Sequence, residues 1–280
     1  MVEWRSRRHG LDEQMSDFPA ASRAEVRSLA DLRQRRGRRE SGLVLVEGPT
    51  LLGEALSAGL TPRLVAATPA ALQESWKIVA AAQEAGARVV SLADHEAARA
   101  SDTDHGTGLI AAVAAPPSWD GGLQADGDVL LPLLWGLQDP GNVGTLIRSA
   151  RAFGATACLL AQGTADATGP KALRASAGSA FHVPLRSIHG TAELLEFASE
   201  SQLTVVLAST SEKADEGIAS VLPGRCLLVL GHETRGVPEL EGVSAFRISQ
   251  RPEVESLNVG VAGSILMADW YRLQMRSGDV

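Results

Sequence analysis

The chain reads as an α/β protein whose larger, carboxy-terminal half carries a parallel sheet with helices on its faces. Three observations predict this. Apolar runs of strand length recur at residues 129–134, 157–160, 204–207 and 225–230, and segments of helical periodicity separate the first of them. The run at 129–134 is unbroken, as expected of a strand buried on both faces. A smaller α/β half precedes it, across the turn-forming stretch Pro116-Pro117-Ser118-Trp119-Asp120-Gly121-Gly122 that continues to Asp128 and reads as a linker.

Taken in order, residues 1–22 mix Arg5, Arg7 and Arg8 with Glu3, Asp12, Glu13 and Asp17 and hold no apolar core. They read as a flexible leader rather than a secretory signal or transit peptide. Residues 43–46 form a short strand, and Glu47-Gly48-Pro49 then turns into a helix with Leu51, Leu52, Ala55 and Leu56 on one stripe. Residues 63–67 and 88–90 are further strands around an alanine-rich helix near 72–82. Ser91 with Asp94 is expected to form a capping box, and 108–114 is the last strand of this half.

In the second half, Asn142 reads as the cap of a helix that places Val143, Leu146, Ile147, Ala150 and Phe153 on one face and ends at Gly154. A final helix spans about 259–273. Its Gly260, Gly263 and Ser264 form a small-residue strip expected to receive a partner element.

The net charge of -7 argues against a generally basic surface. It leaves room for a local nucleic-acid patch, because phosphate contacts depend on local charge. Arg33, Arg35, Arg36, Arg38 and Arg39 form the clearest such patch, with a solvated helix end as the plainer account. Cys158 and Cys226 lie in strand-like runs and read as buried hydrophobes in a reducing compartment, not as a disulfide framework or zinc site. No apolar run is long enough to cross a membrane.

Three loops hold the residues that chemistry could use. The first is Asp139-Pro140-Gly141-Asn142-Val143-Gly144 running into Arg148. Here Asn142 is a plain cap, and Arg148 and Arg151 are surface cations, unless the site is functional. The second, Gly231-His232-Glu233-Thr234-Arg235-Gly236, follows a strand, where ligands of open α/β sheets gather. It lacks the Lys and Ser/Thr of a P-loop and the three glycines of a dinucleotide fingerprint. His232 has no second ligand at metal spacing, so no metal is expected. The third, Ser256-Leu257-Asn258, opens the final helix, where Ser256 or Asn258 could equally be a cap.

Together and in this order, the loops resemble the three motifs of the SpoU (TrmH-like) RNA ribose methyltransferases of the SPOUT superfamily. Asn142, Gly144 and Arg148 match the first motif. Gly231, Glu233 and Gly236 match the second, and Ile248 with Ser256-Leu257-Asn258 the third. Residues 171–178, Lys171-Ala172-Leu173-Arg174-Ala175-Ser176-Ala177-Gly178, look like the family's intervening segment. More loosely, Glu47-Gly48 and Ser101-Asp102-Thr103 are similar to its amino-terminal RNA-binding domain, which has a ribosomal-protein-like fold. The resemblance divides the chain into a leader (1–22), an RNA-binding domain (23–115), a linker (116–128) and a methyltransferase domain (129–276).

The resemblance implies a deep trefoil knot, a homodimer, and S-adenosylmethionine held by the backbones of Gly231, Ile248 and Leu257. It implies methyl transfer to a ribose 2′-hydroxyl, with Arg148 as the central catalytic residue supported by Asn142, Glu233, Ser256 and Asn258. Ribosomal RNA is favoured as substrate because of the amino-terminal domain. The rivals are a transfer-RNA enzyme, a resistance methyltransferase and a non-catalytic ribosome-assembly factor of the same fold. The implied compartment is cytoplasmic, or organellar in a eukaryote. One departure stands out: Ile248-Ser249-Gln250 replaces the usual Ile-Pro-Met, which removes a rigid proline from that loop.

Overall fold

The computed structural model describes residues 18–103, 106–209, 215–216, 222–231, 236–237, 240, 243–251, 253–254 and 256–277. Most of the leader, residues 1–17, lies outside them. The chain divides into two compact units, one running to Ala115 and including Thr168–Gly178, the other formed by Pro116–Ala167 and the chain from Ser179 onward.

The amino-terminal unit begins with helix α1 (Arg23–Asp31) and α2 (Arg35–Ser41). It continues through β1 (Leu43–Glu47), α3 (Pro49–Ser57), β2 (Leu64–Ala67), α4 (Pro69–Glu84), β3 (Arg88–Ser91), α5 (Asp94–Ala100) and β4 (Leu109–Ala114). The sheet order is β1-β4-β2-β3. β4 runs antiparallel to β1 and β2, while β2 and β3 are parallel, so this sheet is mixed. Helix α1, which the sequence reading left out, covers the sheet through Val26 and Leu29. Its start is a capping box: Ser22 accepts from the Glu25 backbone N–H at 3.2 Å, and Glu25 Oε2 accepts from the Ser22 N–H at 2.8 Å.

Two expectations are corrected in this unit. Ser91 closes β3 and caps nothing; α5 starts after Ala93, whose backbone N–H donates to Glu96 Oε2 at 3.0 Å. Within the arginine row, Arg38 is buried and donates from Nη1 to the carbonyls of Leu32 and Arg33, at 2.8 Å each. It therefore ties down the α1–α2 turn, whereas Arg33, Arg35, Arg36 and Arg39 are exposed.

The carboxy-terminal unit contains β5 (Val129–Trp135), α6 (Pro140–Ala152), β6 (Cys158–Ala161), β7 (Leu185–Ile188), α8 (Thr191–Glu200) and β8 (Thr204–Ala208). After these come β9 (Asp215–Glu216), β10 (Arg225–Gly231), β11 (Ser244–Arg247) and α9 (Val259–Ser277). A short helix α7 (Pro170–Ala175) lies between β6 and β7 in sequence but belongs to the other unit. The seven-stranded sheet has the order β7-β6-β5-β10-β8-β11-β9, and its pairs are parallel. β5 and β10 are the central strands, with Leu130, Leu131, Leu227 and Leu228 fully buried. Each such leucine stabilises the fold by about 2 kcal/mol.

β7 and β11 escape a hydrophobicity reading because Arg186, Ser187, Ser244 and Arg247 interrupt their apolar runs. The linker is docked rather than free. Trp119 pairs with the carbonyl of Leu185 and packs edge-on to Phe197 at 5.7 Å, and Arg225 donates to the carbonyl of Gln124 at 3.1 Å. No helix among the described residues is long and apolar enough to cross a membrane.

Candidate active site

Three strands of the parallel sheet end beside one another: β8 at Ala208, β10 at Gly231 and β11 at Arg247. Their carboxyl ends and the segment Ser256-Leu257-Asn258-Val259 enclose a cavity of about 410 Å³. Its lining combines apolar residues, among them Leu230, Phe246 and Leu266, with the loop residues Gly231, Ile248 and Leu257. The carboxyl edge of an open parallel sheet is where such crevices form.

Glycine at 231 lets another stretch of backbone come close. In the structure, a Cβ at this position would stand 2.3 Å from the carbonyl carbon and oxygen of Gly236 and 2.5 Å from the Val237 nitrogen. The chain's own returning loop takes up the space. Gly236 makes that return with φ +69°, in the left-handed region that favours glycine.

Asn142 is not the cap of its helix. Asp139 takes that position, accepting from the Gly141 N–H at 3.1 Å, and α6 begins at Pro140. Asn142 is thereby free of capping and sits in the first turn, where its Oδ1 accepts from Asn258 Nδ2 at 3.0 Å. Asn258 in turn caps α9, its Oδ1 accepting from the Gly260 N–H at 2.9 Å and the Val261 N–H at 3.3 Å.

The small-residue strip of α9 makes this approach possible. Ser264 and Ser149 share a hydrogen bond of 2.7 Å between α9 and α6. A Cβ on Gly263 would meet Leu146 at 2.4 Å and Leu230 at 2.7 Å. The partner element of the strip is thus α6 of the same chain.

Gly231, Ile248, Ser256, Leu257 and Asn258 therefore line one cavity, and Asn142 joins them through its bond to Asn258. Arg148 stands apart: it is exposed on α6, is not among the lining residues, and makes no hydrogen bond or ion pair with a described residue. Glu233 lies outside the described residues. Ala208, Ser209, Phe246 and Gln250 also line the cavity and were missed. The position of Ala208 at the end of a strand was the available signal.

Cys158 and Cys226 are buried in β6 and β10, and burial pushes both thiols up to about 12. Neither lines the cavity.

The SpoU rRNA Methylase family matches residues 130–268, and the MRM3-like substrate binding domain matches residues 23–111. An uncharacterized tRNA/rRNA methyltransferase of Synechocystis sp., slr1673, is 30% identical over 271 residues, covering 94% of this chain and 96% of that protein. The 23S rRNA (guanosine(2553)-2'-O)-methyltransferase RlmP of Bacillus subtilis is 28% identical, covering 90% and 98%. A putative RNA methyltransferase of the TrmH family from Porphyromonas gingivalis has a similar structure, with TM-score 0.73, 30% identity and coverage of 90% and 98%. The AdoMet-bound rRNA methyltransferase of Sinorhizobium meliloti shares the fold at TM-score 0.77 and 23% identity, covering 91% and 96%.

Proposed function

The chain belongs to the SpoU family of RNA methyltransferases, and from that premise we propose that it methylates a ribose 2′-hydroxyl of structured RNA using S-adenosylmethionine. The observation that carries this reading is the gathering of Gly231, Ile248, Ser256, Leu257 and Asn258 around one cavity. At about 410 Å³ that cavity has the size of a small-molecule site. Its mixture of polar and apolar lining residues suits a nucleoside with a charged aminoacyl arm.

S-adenosylmethionine would supply an electrophilic sulfonium methyl. Backbone groups at Gly231, Ile248 and Leu257 would hold it, so replacement of the usual Pro-Met by Ser249-Gln250 leaves the binding groups in place. Leu230, Phe246 and Leu266 would keep water from the reacting atoms. The Asn142–Asn258 pair fixes two amides beside the cavity before any substrate arrives, and Ser256 adds a hydroxyl at its rim. Glu233, by its place in the second loop, would support them.

A ribose hydroxyl is a poor nucleophile until its developing negative charge is stabilised. Arg148 carries a guanidinium, a cation that offers a planar fork of donors. Its role is therefore electrostatic stabilisation of the incipient alkoxide rather than proton abstraction. The exposed side chain, bound to no described partner, is available for RNA.

Ribosomal RNA is the favoured substrate, supported by the substrate-binding match over 23–111 and by the ribosomal RNA activity named for RlmP. A homodimer belongs to the same reading, supported by exposed Val261, Tyr271 and Met275 on α9. So does a threaded carboxy-terminal segment. Its support is that β10 lies between β5 and β8, β11 lies beyond β8, and α9 returns to α6. A reducing, cytoplasmic setting suits two unpaired buried cysteines.

Calorimetry with S-adenosylmethionine, followed by methyl transfer assays on unmodified ribosomal and transfer RNA, tests the proposal. Binding and ribose methylation of ribosomal RNA are expected. Absence of binding heat would favour an assembly factor, and activity confined to transfer RNA would move the substrate. Arg148→Ala should abolish transfer while leaving cofactor binding and stability within about 0.5 kcal/mol of wild type. Near-normal turnover would remove Arg148 from the mechanism.

A further inference from the structure

Three segments singled out in the sequence, Glu47-Gly48, Ser101-Asp102-Thr103 and the stretch around Arg174, take no part in the cavity. They converge within the amino-terminal unit. The Glu47 side chain is 5% exposed. Its Oε2 accepts from Ser101 Oγ at 2.6 Å and its Oε1 accepts from the Asp102 backbone N–H at 2.8 Å. Arg174, on α7, donates from Nη2 to Asp102 Oδ2 at 3.0 Å and places Nη1 3.7 Å from Glu47 Oε1. One guanidinium thus serves two carboxylates, the geometry for which arginine is suited and lysine is not.

The segment bearing Arg174 is bound by shape as well as charge. Gly178, at φ +79°, comes so close to α3 that a Cβ would lie 2.5 Å from the Glu54 Cβ, and Ala177 before it is held at φ +48°. A strained non-glycine residue persists only where its surroundings over-determine it. By connectivity, this segment links β6 to β7. The chain leaves the carboxy-terminal unit after Ala167 and rejoins it at Ser179. Along the chain, residues 168–178 are therefore joined to β6 on one side and to β7 on the other. A buried carboxylate such as Glu47 penalises release, because it would lose its countercharge.

We propose that Arg174 is a positioning residue: its pairing with Asp102 and Glu47 holds residues 168–178 in place within the amino-terminal unit, and turnover on RNA depends on that placement. The inference rests on the proposed methyltransferase function.

The test compares full-length wild type with Arg174→Ala, Arg174→Lys and the double variant Arg174→Ala/Asp102→Asn. In Arg174→Ala, kcat on ribosomal RNA is expected to fall about tenfold, while the Kd for S-adenosylmethionine and the KM for RNA stay within about twofold. Arg174→Lys should recover part of kcat. The double variant should match Arg174→Ala, because both changes break the same link. Backbone amide exchange over residues 170–178 should accelerate in Arg174→Ala. Unchanged kcat in the folded variant overturns the proposal, as does a loss of cofactor binding that parallels the loss of turnover. If wild type itself binds no methyl donor, the functional reading fails separately. The exchange rates at 170–178 then decide whether Arg174 fixes the segment.

Discussion

Asn258 donates from Nδ2 to Asn142 Oδ1 at 3.0 Å, joining positions 116 apart in the chain, while its own Oδ1 caps α9. One side chain therefore does two separable things. Asn258→Asp keeps the acceptor that caps the helix and places a negative charge at the helix N-terminus, but removes the donor to Asn142. Its melting temperature should stay within about 2 °C of wild type, while kcat falls about tenfold or more. Asn258→Ala should in addition lose about 1 kcal/mol in urea unfolding. Equal stability losses in both variants would show that the two functions are not separable.

Gly231→Ala forces a methyl group against the backbone of Gly236 and Val237, which cannot rotate away as a side chain could. The returning loop must shift, at about 1–3 kcal/mol. Titration calorimetry should show the affinity for S-adenosylmethionine falling at least about tenfold. Retained affinity would mean that the loop is not part of the binding wall.

The Glu25 carboxyl lies below its ordinary value of 4.5, at about 2, because Arg88 and Ser22 donate hydrogen bonds to it, Arg88 from Nε at 2.6 Å. Since the folded value is the lower one, this stabilisation is complete above about pH 4.5 and fades as the pH falls toward 2. Glu25→Gln should cost about 1 kcal/mol at pH 7, and the gap to wild type should narrow between pH 4.5 and 3 in urea titrations. A gap independent of pH would indicate that shape, not charge, sets the contribution of Glu25.

Cys158 and Cys226 are fully buried, with thiols raised to about 12. Neither should react with a thiol reagent at pH 8 in the folded protein, and both should react in denaturant. Fast labelling of the native protein would reveal local opening of β6 or β10.

The order of β1–β6, β8 and β10, and of α3–α6 and α9, was legible along the chain. Local rules suffice for these: continuous apolar strands, helical stripes, and Pro or Gly at turns. The sequence also marked Asn142, Gly231, Ile248, Ser256, Leu257 and Asn258, through a pattern spread across three loops. β7, at the sheet edge, and β11, between β8 and β9, stayed hidden because short strands with polar residues carry little hydrophobic signal. Tertiary structure alone decided which residues meet. Asp139 displaced Asn142 as the cap and left Asn142 for Asn258, Gly231 proved to admit the chain's own loop, and Arg38 turned inward from a row of otherwise exposed arginines. It also assigned residues 168–178 to the amino-terminal unit, against their place in the sequence. These outcomes depend on contacts between distant segments, set by close packing and by the need of buried charges for partners, which periodicity along the chain does not record.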